Sequence, residues 1–101
     1  MRVRWSRLAL EDMSGILDRL ATENPVAAGR LTRRLDRVVR RISLYPEGAQ
    51  AVAERPGVRR IPLVRYPFIL FYKVENGEAI VLRVVHGAME RPWESVASEG
   101  K

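Results

Sequence analysis

Apolar positions change period twice along this chain, and each change marks a new element. Val3 and Trp5 alternate with Arg2 and Arg4, the two-residue period of a short strand with one apolar face. Ala9, Met13, Ile16, Leu17 and Leu20 then recur at threes and fours, so Arg7 to about Thr22 is an amphipathic helix with Ser6 as its cap. Glu11 and Asp12 lie in its early turns, where negative charge suits the helix dipole. Asn24-Pro25 opens a second helix, the asparagine capping and the proline at the first helical position. Its apolar stripe is Ala28, Leu31, Leu35, Val38, Ile42 and Tyr45, and Pro46 and Gly48 end it. Two such stripes joined at Glu23-Asn24-Pro25 predict an antiparallel helical hairpin.

Beyond Gly48 the period becomes that of strands. Ala49 to Gly57 is a loop or short helical turn, weakly specified. Val58 to Leu63 is a strand that Pro62 confines to an edge or a bulge. Two apolar runs, from Tyr66 to Val74 and from Ala79 to Gly87, are joined through Asn76-Gly77, the dipeptide best suited to a type I′ turn. Counting outward from that turn pairs Val74 with Ala79, Phe71 with Leu82, Leu70 with Arg83 and Phe68 with Val85. One face then carries Ile69, Phe71, Ile80, Leu82, Val84 and His86; the other carries Phe68, Leu70, Tyr72, Val81, Arg83 and Val85. Two helices can cover only one of these apolar faces, so the face with Tyr72 and Arg83 is expected to stay open for a partner. Met89 to Glu94 has no period, and Ser95 to Lys101 is expected to fray.

The 101 residues fit one domain, residues 1–94 plus that tail, burying about 65% of the unfolded surface. With no cysteine, disulfide scaffolds, thiolate metal sites and cysteine nucleophiles are excluded. The first residues are charged at every second position and lack the apolar core of a signal peptide, and no window approaches a membrane span of ~18 apolar residues. A soluble cytoplasmic protein is expected, with no metal or cofactor. The net charge is +6, nearly all from arginine, the cation suited to carboxylates and phosphates. The sign of the charge favours anionic partners without choosing among them.

Five features carry candidate chemistry. Arg30, Arg33, Arg34, Arg37, Arg40 and Arg41 share the polar arc of the second helix, either as a solvated face or as a docking surface. Arg59, Arg60 and Arg65 form a second basic cluster at the sheet. Arg83 stands within an apolar strand and must be paired internally or face a partner. His86, the only histidine, is at a strand end beside no nucleophile in sequence, and is either structural or functional. The twelve carboxylates show no metal-ligand spacing in an apolar setting and are taken as solvated. Trp93, next to Pro92, covers the core edge or serves as an exposed anchor.

Val3-Arg4-Trp5-Ser6, Asn24-Pro25-Val26-Ala27-Ala28, Ile61-Pro62-Leu63, Phe68 to Val74 and Leu82 to Ala88 together, and in this order, resemble the ParE/RelE toxin superfamily. The resemblance spans about Arg2 to Trp93. It implies a two-helix hairpin on a curved antiparallel sheet, an α+β fold of order β-α-α-β-β-β. It further implies a type II toxin of the kind associated with plasmid stabilisation, neutralised by an acidic, partly disordered antitoxin that folds onto it. The two would form a hetero-oligomer, and operator DNA would be met only through that complex.

Members like RelE cut messenger RNA on the ribosome with basic residues on the sheet and near the C-terminus. Here Ile69, Met89 and about Ser95 stand at three of those places, and only Arg60 keeps a basic one. Phosphodiester cleavage needs groups that move protons and stabilise phosphate charge. The departures therefore favour the ParE-like branch, whose members inhibit DNA gyrase by binding. Partner contacts are expected from Arg59, Arg60, Arg65, Tyr72, Arg83, Arg91 and Trp93. The alternative is a RelE-like endoribonuclease using Arg60, Arg83 and His86. A third possibility is a non-toxic member persisting as a binding module.

Overall fold

A computed structural model describes residues 1–87 of the chain. Strand β1 (Arg2–Trp5) leads directly into helix α1 (Arg7–Glu23). Ser6 caps α1 by accepting from the Ala9 amide, and Asn24 caps α2 (Pro25–Leu44) by accepting from the Ala27 amide. Both caps satisfy amides that a helix start leaves without partners. Strands β2 (Gln50–Ala51), β3 (Val58–Pro62), β4 (Phe68–Glu75) and β5 (Glu78–His86) follow. The expected β-α-α-β-β-β order holds, with two additions. The stretch expected as a loop contains β2, a two-residue strand on β3. β1 returns beside β5 in parallel, which makes the sheet mixed, in the order β1-β5-β4-β3-β2. Pro62 lies past the end of β2, where β3 is an edge and its missing N–H costs nothing.

Both helices pack on one face of the sheet. Ala9 and Met13 of α1 and Leu31, Leu35, Val38 and Ile42 of α2 close on Ile61, Leu70, Tyr72, Ala79, Val81 and Val84. No described helix is long and apolar enough to cross a membrane.

The hairpin turn is the one expected. Asn76 and Gly77 take φ of 52° and 76°, and Glu75 pairs with Glu78. The register holds from the turn to Tyr72 and then slips. Tyr72 faces Val81 but Phe71 faces Arg83, so Leu82 is an extra residue and β5 bulges there. Leu70 consequently meets Val84, and Phe68 meets His86, each one position from the expected pairing. Simple alternation would have put Val81 and Val84 on opposite faces. The bulge brings both into the helix-side core, at 0% and 1% exposure.

The face expected to stay open, with Leu70, Tyr72 and Val81, is the one the helices cover, and the opposite face is buried as well. Val52, Val58, Phe71, Ile80, Leu82 and Val85 form a second buried cluster, with Ile69 packed against it. The segment after α2 contributes to it: Val52 N donates to Val58 O at 2.8 Å, folding that turn onto the strands. No residue of α1 or α2 belongs to this cluster. The hairpin therefore needs no outside chain to bury its second face.

Candidate functional site

Arg83 is held where α1 crosses the bulge. Its Nε donates to Asp12 Oδ2 at 2.8 Å and its Nη2 to Asp12 Oδ1 at 3.1 Å, the forked geometry that suits guanidinium to carboxylate. Asp12 Oδ2 also accepts from the Val84 amide at 3.0 Å. Just before it, Ser6 N donates to Val81 O and Ser6 Oγ to Leu82 O, both at 2.9 Å. The start of α1 thus takes up the polar groups of β5 from the point where pairing with β1 ends. The Arg83 and Asp12 side chains are 12% and 15% exposed. Of the two readings open for Arg83, this is the internal ion pair. Asp12, expected to be solvated, is its partner.

That placement bears on any phosphate chemistry. In register, Arg60 on β3 and Arg83 on β5 flank Phe71, two strand spacings apart, or about 10 Å. Arg83, however, sends its guanidinium to α1. His86 is exposed at the far end of β5, its ring edge-on to Phe68 at 6.2 Å and 82°. Among the described residues no carboxylate pairs with Arg60, and no three histidine, aspartate or glutamate side chains gather as metal ligands.

The remaining expected contacts do not form one patch. Arg59 and Arg60 are neighbours on β3 and so point to opposite faces. Arg59 shares the helix-side face with Ile61, and its Nη1 donates to Ala49 O at 2.7 Å. Arg60 is on the face of Val58. Arg65 is apart from both, in the turn Leu63-Val64-Arg65-Tyr66 closed by Tyr66 N donating to Leu63 O. There it is exposed with φ of 75°, the left-handed conformation that the third place of a type II turn demands.

Tyr72 departs furthest from expectation. It is fully buried, and its hydroxyl donates to Pro46 O at 2.7 Å. Burial pushes its phenol pKa up, with nearby Arg59 partly opposing. The cause is the face it occupies: Tyr72 points into the helix-side core, not towards solvent. Arg91 and Trp93, like the tail beyond residue 94, lie outside the described residues.

Among the described residues, α2 carries the largest group of exposed arginines. Arg30, Arg33, Arg37, Arg40 and Arg41 are exposed, Arg34 is half-buried, and among the described residues no ion pair engages any of the six.

Comparisons with known proteins place these features in a family. Residues 3–91 match the family described as "ParE toxin of type II toxin-antitoxin system, parDE". "Toxin RelE2" of Caulobacter vibrioides is 31% identical over 88 residues, which is 86% of this chain and 96% of that protein. "Putative toxin Y4kP" of Sinorhizobium fredii is 27% identical over 95 residues, 90% of this chain and 93% of that one. Among solved structures, a chain of the "Chromosomal ParDE TA system from P. aeruginosa" superposes with a TM-score of 0.72 at 28% identity, over 85% of this chain and 95% of that chain. The chain therefore belongs to the ParE toxin family of type II toxin–antitoxin systems.

Proposed function

We propose that this toxin inhibits DNA gyrase by binding it, performs no chemistry of its own, and is neutralised by a cognate acidic antitoxin. Membership of the family implies the antitoxin partner. The observation that carries the gyrase reading is the engagement of Arg83 by Asp12. Cleavage of a phosphodiester needs cations free to meet developing phosphate charge and a group that moves protons. Arg83 is drawn into an ion pair inside the fold, Ile69 stands where RelE-like chains carry a sheet arginine, and Arg60 is left as the basic residue of that set on the sheet. Such a surface suits recognition better than catalysis. Arg60, Arg65 and the arginines of α2 are the cations best placed for target contact.

The test is a direct comparison of two activities of the purified protein. Gyrase supercoiling should be blocked, and ribosome-bound message should stay intact. Cleaved message with untouched gyrase would instead establish the RelE-like reading suggested by the name of the Caulobacter relative.

A further inference from the structure

The chain has two asparagines, and their surroundings give them opposite chemistry. Asn24 is followed by Pro25, whose ring nitrogen has no proton to give up, and its side-chain oxygen is engaged by the Ala27 amide. Asn76 is followed by Gly77, and both are exposed at the tip of the β4–β5 hairpin. They are the central residues of the turn, set between the paired Glu75 and Glu78, so the strand ladder takes up neither. Among the described residues neither the Asn76 side chain nor the Gly77 amide makes a hydrogen bond. A Cβ built at Gly77 would meet no atom within 4 Å, so nothing packs over its nitrogen.

We propose that Asn76 is a site of spontaneous deamidation and isoaspartate formation, a covalent change that ages the central hairpin of the toxin. The Gly77 nitrogen gives up its proton and bonds to Asn76 Cγ; the Cγ–Nδ2 bond breaks and the side-chain nitrogen leaves as ammonia. Water then opens the cyclic imide at either carbonyl. Opening at one leaves aspartate, and opening at the other leaves isoaspartate, in which the chain runs on through Cγ. Attack requires the Asn76 backbone to turn out of its left-handed conformation, and the tip, where the ladder ends, is the part of the hairpin that opens most readily. The two products differ in consequence. Asp-Gly suits a type I′ turn as Asn-Gly does, so aspartate keeps the geometry. It adds a carboxylate between Glu75 and Glu78, whose cations, Lys73 and Arg4, are already engaged. Isoaspartate adds a methylene to the backbone of a turn that has room for two residues, and the register of β4 on β5 is set at that turn. The inference does not depend on which target the toxin meets.

The experiment incubates the purified full chain, shown by circular dichroism to be folded, for weeks in mildly alkaline buffer and maps it by tryptic digestion and mass spectrometry. Trypsin releases Asn76 within residues 74–83 and Asn24 within residues 20–30, so one digest reports both. Position 76 should take on the mass of the deamidated form and position 24 should not. Labelling by an isoaspartyl methyltransferase should find isoaspartate beside aspartate at 76. The isoaspartate fraction, separated by chromatography, should melt at a lower temperature than freshly prepared Asn76→Asp, although the two carry the same charge. An unchanged Asn76, or equal conversion of Asn24, would overturn the proposal. Aspartate without isoaspartate would overturn it too, because the imide opens both ways. An isoaspartate fraction that melts together with Asn76→Asp would show that the longer backbone does not disturb the hairpin, and the claim that the change ages the fold would fail.

Discussion

Removing the carboxylate at Asp12 is the sharpest perturbation of this fold. Asp12→Ala deletes two charge-assisted bonds from Arg83 and the acceptor of the Val84 amide, all at a β-bulge. Breaking a fully buried ion pair from one side costs roughly 3–5 kcal/mol. The two side chains retain 12% and 15% exposure, so water compensates part of the loss and about 2–4 kcal/mol is expected. For a chain this size that lowers the melting temperature by about 10–20 °C. Urea unfolding followed by circular dichroism should show the midpoint falling by more than ~1 M at unchanged slope. Asp12→Asn should cost less, because its amide oxygen still accepts from Val84. A cycle with Arg83→Met isolates the pair and should give a coupling of at least ~1 kcal/mol. A loss under ~0.5 kcal/mol for Asp12→Ala, the ordinary scale of a surface substitution, would refute the reasoning.

Other consequences follow from the core and the turns. Burial raises the Tyr72 pKa, so the folded protein keeps a proton that the unfolded chain releases near pH 10; stability should fall as pH rises above that point. Tyr72→Phe should flatten this alkaline loss while costing about 1–3 kcal/mol at neutral pH, because Pro46 O loses its donor; an unaltered alkaline profile would show that Tyr72 is not its source. At the two positive-φ turns opposite signs are expected. Gly77→Ala should destabilise by about 1 kcal/mol, and Arg65→Gly should stabilise by roughly 0.5–1 kcal/mol, both read from urea midpoints. Stabilisation by Gly77→Ala would mean that the turn is not of type I′.

Much of this fold is legible in the residues because the local signals agree. Ser6 and Asn24-Pro25 mark the helix starts, and Asn76-Gly77 fixes a hairpin whose turn geometry is the one the dipeptide favours. The shifted hairpin pairings have one cause. A two-residue period counted from the turn has no means of registering an extra residue, so the bulge at Leu82 shifted every pairing beyond it. A trace of it was present in Arg83, a charge in an apolar strand. Its partner was traceable too: Asp12 falls between Ala9 and Ile16 at spacings of three and four, on the apolar stripe of α1 and not on its solvent side. The buried second face was less accessible, because β2 is only two residues long and its pairing with β3 leaves almost no periodic signal. Tyr72 was misplaced because the hairpin pattern defines two faces without saying which one the helices cover.

Under the proposed function Arg83 is part of the scaffold, held by Asp12, and not of a catalytic centre. Supercoiling by gyrase in the presence of Arg83→Met, at a temperature where circular dichroism shows the variant folded, addresses this directly. Inhibition within about threefold of the unaltered toxin, under ~1 kcal/mol, is the predicted result. A folded variant that no longer inhibits gyrase, or an unaltered toxin that cleaves message while the variant does not, would contradict it.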